Sequence, residues 1–217
     1  MSEAFDAGYT QYQVNRSALR KLVRRIYLWS ARSKLPGRVL DFGCGIGELL
    51  ETLPSGSMGL EYNGATVAYC RTKGLDVTWY DGYLDGWALT GVAEGRQFES
   101  MVISHVLEHL DAPEQVLRAL LLAAERLGIR RVLVVVPGKA GYRTDATHRT
   151  FVDAGMLAAP SSVAGTAFTA TSIRYFPGNR RALGDWFPHH ELQVLFRRRC
   201  GGKEPGPLDG TQPTKSD

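Results

Sequence analysis

A short apolar strand that runs straight into three alternating glycines constrains this chain more than any other feature. The segment reads Val39-Leu40-Asp41-Phe42-Gly43-Cys44-Gly45-Ile46-Gly47. Glycines there let the backbone approach a ligand closely and free amides at the start of a helix, the place where an open α/β sheet binds nucleotides. The spacing discriminates between ligands. A dinucleotide fingerprint would need glycine or alanine at position 48, which is Glu48. The third glycine comes instead at 47, and the acidic Asp41 precedes the first. A nicotinamide oxidoreductase is thereby disfavoured.

The pattern around the loop is strand and helix in alternation. Strands are expected at Arg38–Phe42, Ser57–Glu61, Val77–Tyr80, Phe98–Ser104 and Arg131–Val136. Helices are expected at Gly47–Leu53, Ala65–Lys73 and Pro113–Leu127, the last with Val116, Leu117, Leu120, Leu121, Ala124 and Leu127 on one face. Val132–Val136 is a continuous apolar run, as in a strand buried on both faces of a parallel sheet. Gly138–Thr150 reads as a polar loop, and a helix near Phe151–Ala158 follows. Strands Thr169–Phe176 and Glu191–Arg197 close the chain, with Trp186-Phe187-Pro188 as a packed turn between them. The expected fold is α/β: a Rossmann-like, doubly wound, mostly parallel seven-stranded sheet with an antiparallel C-terminal hairpin strand and helices on both faces.

Three parts are expected: an N-terminal lid and amphipathic helix over 1–37, a ligand-binding domain over 38–200 and a disordered tail over 201–217. In the first, Leu19, Leu22, Val23, Ile26 and Tyr27 make one apolar helical stripe, ending near Trp29. Charge is concentrated there. Residues 1–40 hold eight Lys/Arg against Glu3 and Asp6, a balance of +6, while the other 177 hold 18 basic and 20 acidic residues. That balance argues against a wholly cationic nucleic-acid binder. At 44% hydrophobic and 22% charged residues, wholesale disorder, a fibre or a disulfide miniprotein are excluded. Cys44, Cys70 and Cys200 form no CxxC pair, and no signal-like or 18-residue apolar run is present. The expectation is a soluble, cytoplasmic protein in a reducing compartment.

The Asp-x-Gly-x-Gly-x-Gly loop resembles motif I of the class I S-adenosylmethionine-dependent methyltransferases, in their small single-domain bacterial form. Glu61, ending the second strand in Gly59-Leu60-Glu61-Tyr62-Asn63, stands where that family places its acidic ribose ligand. Val102–Leu110 is similar to its fourth strand and following loop, and Val132–Pro137 to its fifth strand. The resemblance runs from about Arg38 to Arg199. It implies S-adenosylmethionine as cofactor and S-adenosylhomocysteine as product. The implied cofactor site is Asp41, Gly43, Cys44, Gly45, Gly47, Glu61, Tyr62, Asp81, Gly82, Ser104 and His105. Asp41 would take the amino end, Glu61 the ribose diol and Asp81 the adenine.

His105, Glu108 and His109 follow the fourth strand, and His148 follows the fifth, so the fold brings both loops to one crevice. A packing role competes for His105 and Glu108. His148, and after it His109, is the candidate general base for a hydroxyl acceptor. No metal is expected, but an alternative set is His105, Glu108, His109 and His148. It resembles the Glu-x-x-Glu-His segment plus distant His of small-RNA 3′-end 2′-O-methyltransferases, with His105 where their first Glu would be. Tyr9, Tyr12, Tyr142, Arg143 and Arg149 are the candidate substrate contacts. The functional expectation is methyl transfer to a small-molecule hydroxyl by in-line displacement, with an acceptor of anionic character, no membrane partner, and a monomer or homodimer. The alternatives are a metal-assisted RNA-terminal 2′-O-methyltransferase and a non-catalytic adenosylmethionine-binding module.

Overall fold

The computed structural model describes residues 26–92 and 95–199. Tyr9, Tyr12, most of the basic N-terminal stripe and the 201–217 tail lie outside them. Seven strands form one sheet in the order β3-β2-β1-β4-β5-β7-β6. They are β1 (Val39–Phe42), β2 (Met58–Glu61), β3 (Val77–Trp79), β4 (Ser100–Ser104), β5 (Arg131–Pro137), β6 (Phe168–Phe176) and β7 (Glu191–Arg198). The first five are parallel, and β7 pairs antiparallel with both β5 and β6. The expected seven-stranded architecture and its C-terminal hairpin are both present. The order of strand addition reverses between β1 and β4, which run parallel, so the loops that follow them diverge and open a crevice there.

The apolar run in β5 is continuous because the sheet is covered twice. Val132, Val134 and Val136 enter the larger core, while Leu133 and Val135 enter a second core on the other face. Each such buried side chain contributes roughly 1.5–3 kcal/mol. The larger core is closed by α3 (Pro113–Arg126), which buries Val116, Leu117, Leu120, Leu121 and Ala124. The second is closed by α1, described over residues 26–32, through Ala31 and the following Leu35. Helix α2 (Gly64–Thr72) is capped by the Asn63 side chain, which accepts from the amides of Ala65 and Thr66.

Several expectations need correction. Ile26 is not on the buried stripe: it is 52% exposed, and the buried face runs instead through Tyr27 and Ala31. The helix expected at Gly47–Leu53 is only a single 3-10 turn, Leu50–Thr52, because Gly47 sits at φ +80° and Pro54 ends the segment. Within the Gly138–Thr150 loop, Lys139–Tyr142 forms a helical turn. The helix near Phe151 is limited to Ala154–Ala158, capped by the Asp153 side chain on the Met156 amide. Trp186 does not pack in the hairpin turn; it is 86% exposed.

Candidate functional site

On the β1–β3 side the site is made of backbone. The amides of Gly43 and Cys44 both donate to the Leu60 carbonyl, at 2.9 and 3.0 Å, which ties the glycine loop to β2. Gly43 has φ +73°, and a Cβ there would meet Val106 Cγ2 at 2.3 Å. The position therefore admits no side chain, and the loops after β1 and β4 touch across it. Glu61 is aimed at the loop by two amides: Gly45 donates to Oε2 and Asn63 to Oε1, each at 2.9 Å. Burial raises the Glu61 pKa, while the amides of Asn63, Gly45 and Tyr62 pull it back. A carboxylate has about four acceptor sites. Amides engage part of that capacity, and the remainder can accept from a vicinal diol.

Asp41 lies beneath the loop, 2% exposed, between Gly59 of β2 and Val102 of β4. Asp81 caps the turn Gly82–Asp85 by accepting from the Tyr83 amide at 2.9 Å. Gly82 is roofed by Trp87, whose ring packs edge-on against Tyr83. Tyr62 and Tyr83 are both exposed at this rim. The arrangement provides an aromatic edge and a polar cap, suited to a flat heterocycle.

On the β4–β7 side the site is made of side chains. After β4 the backbone turns through His105, held at φ +56°. Its Nδ1 lies 3.2 Å from Glu108 Oε1 and its Nε2 3.0 Å from Glu191 Oε1. Burial by itself would lower the His105 pKa, but the two carboxylates outweigh it and push it up to about 10. Both ring nitrogens are engaged, so His105 offers no donor to a metal, a correction to the four-residue set. Glu191, in turn, accepts from the Gln193 side-chain amide at 3.5 Å, and Gln193 accepts from Ser30 of α1 at 3.3 Å.

Glu108 is 0% exposed. Its carbonyl accepts from the amides of Arg149 and Thr150, at 2.8 and 3.1 Å, which docks the loop after β5 onto the 3-10 turn Leu107–His109. That docking brings His148 to His109, with ring centroids 4.8 Å apart. His148 Nδ1 lies 2.8 Å from the Tyr142 carbonyl, to which it must donate, and its Nε2 lies 4.0 Å from Glu108 Oε1. Tyr142 also stacks on the imidazole. His109 Nδ1 is held by Thr147, at 3.3 Å from its carbonyl and 3.1 Å from its hydroxyl. Burial, reinforced by His148, lowers the His109 pKa against the pull of Glu108. Ligand atoms of Glu108, His109 and His148 all lie within 4.8 Å of one another.

The structure thus brings Glu108, His109 and His148 together and places Tyr142 beside them. Arg143 is exposed nearby, and Arg149 makes an exposed ion pair with Asp111 at 2.7 Å. Glu191, Thr147 and Cys70 belong to the surroundings of the site and escaped sequence reasoning. For Glu191 the available signal is a charged residue opening a strand whose centre, Val194–Phe196, is apolar.

The family model for a methyltransferase domain matches residues 11–199. The chain belongs to that methyltransferase family. Its fold is that of the S-adenosylmethionine-dependent class. A methyltransferase of that type from Archaeoglobus fulgidus has 17% identity and a TM-score of 0.61, covering 89% of this chain and 100% of its own. The magnesium protoporphyrin IX methyltransferase of Synechocystis, with bound S-adenosylhomocysteine, has 15% identity and a TM-score of 0.60, covering 90% and 96%. A small RNA methyltransferase has 17% identity and a TM-score of 0.53, covering 86% of this chain and 26% of its own. No curated protein matches the sequence significantly. Among the described residues no helix is long and apolar enough to cross a membrane.

Proposed function

We propose that the protein transfers the methyl group of S-adenosylmethionine to a hydroxyl oxygen of a small molecule, with His148 as the proton acceptor. The observation that carries this reading is the His148 geometry: Nδ1 fixed on the Tyr142 carbonyl at 2.8 Å and Nε2 facing buried Glu108 at 4.0 Å. A proton taken up at Nε2 would be stabilised by that carboxylate. The remaining work is alignment, because the sulfonium already activates the methyl carbon, and alignment supplies up to about 7–11 kcal/mol in ideal intramolecular cases. Glu61 would hold the ribose diol, Asp41 the amino end, and Asp81, Tyr62 and Gly82 the adenine. Lys139 and Arg143 are exposed beside Tyr142, which suits an acceptor of anionic character.

A second reading rests on the convergence of Glu108, His109 and His148 within 4.8 Å. One carboxylate and two imidazoles suit a divalent cation, and these three residues would hold it. Such an ion supplies Lewis acidity toward hydroxyl oxygens. In this reading the acceptor is an RNA terminus; a small RNA methyltransferase is among the structural neighbours.

One experiment separates the readings. Labelled methyl transfer from S-adenosylmethionine is measured with panels of small hydroxylated acids and of RNA termini, with and without chelator, for wild type and His148→Ala. The first reading expects turnover on a small acceptor, indifferent to chelator and reduced about 10²–10⁴-fold in the variant. Full turnover in His148→Ala would remove the base. Chelator-sensitive turnover confined to RNA would move the assignment to the second reading.

A further inference from the structure

Two thiols that are distant in sequence meet beneath the glycine loop. Cys44 belongs to the loop and Cys70 to α2. Both sulfurs approach the same carbonyl oxygen, that of Gly45, at 3.6 Å for Cys44 and 3.3 Å for Cys70. They cannot lie further apart than those two distances together, close enough for one thiol to donate to the other. Two glycines make room for them. A Cβ on Gly59 would sit 2.6 Å from Cys44 Sγ, and one on Gly47 would sit 3.4 Å from Cys70 Sγ. Cys70 is buried, whereas Cys44 is partly open to solvent.

We propose that Cys44 and Cys70 form a reversible intramolecular disulfide, and that its formation weakens binding of the methyl donor. The second half of this statement rests on the reading of the glycine loop as the donor's site. The oxidant is a low-molecular-weight disulfide. Cys44, the accessible thiol, loses its proton and attacks one oxidant sulfur, which forms a mixed disulfide and releases one small thiol. Cys70 then loses its proton and attacks the Cys44 sulfur, which forms the internal bond and releases the second small thiol. The two protein thiols give up two electrons and two protons, and the oxidant's sulfur–sulfur bond takes both. The Cys44 hydrogen bond and nearby Lys73 lower the Cys70 pKa despite burial, which favours the second step. The same hydrogen bond, burial and the charges of Asp41 and Glu61 raise that of Cys44, which makes the first step the slow one.

The effect on the donor follows from Gly45. Its carbonyl accepts an S–H from this pair and its amide holds Glu61 at 2.9 Å. A disulfide has no S–H to donate, and it draws the two sulfurs to about 2.05 Å. Gly45 loses that partner and moves with the loop, and the carboxylate it orients moves with it. Losing one charge-assisted hydrogen bond corresponds to at least about a tenfold drop in affinity.

The test uses the full chain incubated with oxidised glutathione, then with dithiothreitol. Both cysteines lie in the single tryptic peptide 39–71. Formation of the bond makes that peptide lighter by two hydrogens and blocks its alkylation. Calorimetry with S-adenosylmethionine is run on reduced, oxidised and re-reduced protein. The expected result is at least about a tenfold weaker binding on oxidation, restored by reductant, and absent from Cys70→Ser. Cys70→Ala is the alternative variant should serine disturb the core, and wild-type reversibility stands without either. A peptide that stays fully alkylatable overturns the disulfide. A disulfide that forms without changing affinity overturns its regulatory effect. Reduced protein that does not bind S-adenosylmethionine overturns the loop assignment instead, and the peptide mass reads the disulfide independently of it.

Discussion

The two halves of the sheet build their shares of the site from different materials. On the β1–β3 side, amides and glycines do the shaping: Gly45 and Asn63 amides aim Glu61, and Gly43 lets two loops meet. On the β4–β7 side, side chains hold side chains: Glu191 and Glu108 clamp His105, Thr147 clamps His109, and Tyr142 clamps His148. A backbone-built site depends on a few consecutive residues. A side-chain-built site depends on partners that only the topology assembles. The first suits a ligand of constant shape, and the second suits an acceptor and a proton whose positions must be tuned.

If this division is real, the largest effect should come from the backbone half. Gly43→Val adds a branched side chain at φ +73°, where even a Cβ meets Val106 at 2.3 Å. A left-handed backbone alone costs roughly 1–2 kcal/mol for such a residue. Calorimetry should detect no S-adenosylmethionine binding by folded Gly43→Val. Binding near wild-type strength would break the claim that the backbone shapes this half. Next in size is Glu108→Gln, which keeps the shape of a fully buried side chain and removes its charge. Steady-state kinetics should show kcat lower by about 10²–10⁴-fold with donor affinity little changed. A change in donor affinity alone would erase the boundary between the halves. Smaller is Glu61→Ala, which should weaken donor binding by about 10–100-fold, the value of a charge-assisted bond to the diol. Unchanged affinity would remove its ribose role.

The same division explains how much was legible before any coordinates. The glycine spacing, Asp41 and Glu61 lie within 21 residues. Local chemistry announced them, and the strand pattern placed them at one sheet edge. Glu108, His109 and His148 could be nominated because both of their loops follow parallel strands. Their partners could not be. Glu191 reaches His105 across 86 residues, and only the antiparallel register of β7 on β5, with Pro137 opposite Glu191, brings it there. Cys44 and Cys70 looked unrelated because their contact depends on how α2 settles behind the loop. The Gly47–Leu53 segment forms one turn rather than a helix because glycine at a left-handed φ and a nearby proline outweigh apolar spacing.

The smallest effect tests whether the side-chain-built half can be softened alone. His190 is buried and stacks on Tyr175, and its carbonyl accepts from the Gly138 amide at 2.7 Å. It therefore anchors the turn Lys139–Tyr142, whose last carbonyl fixes His148. Burial holds its pKa below the ordinary 6.5, although the carbonyls of Gly178 and Arg180 and the charge of Glu191 pull it upward. As pH falls, the unfolded chain takes up this proton before the folded chain does. The stability contributed by neutral His190 is thus complete above about pH 6.5 and is lost as pH falls through the lowered value. His109 adds a slope of the same sign, because its pKa is also lowered. His105, raised to about 10, adds a slope of the opposite sign in wild type and variant alike, so the readout is their difference: between about pH 7.5 and 5 the melting temperature of wild type should drop relative to that of His190→Phe, by at most one proton's worth of slope. Hydrogen-exchange protection, corrected for the pH dependence of the intrinsic rate, should fall first in 138–148 and persist in 39–47. Equal slopes, or opening that begins in the glycine loop, would mean that the two halves yield as one unit.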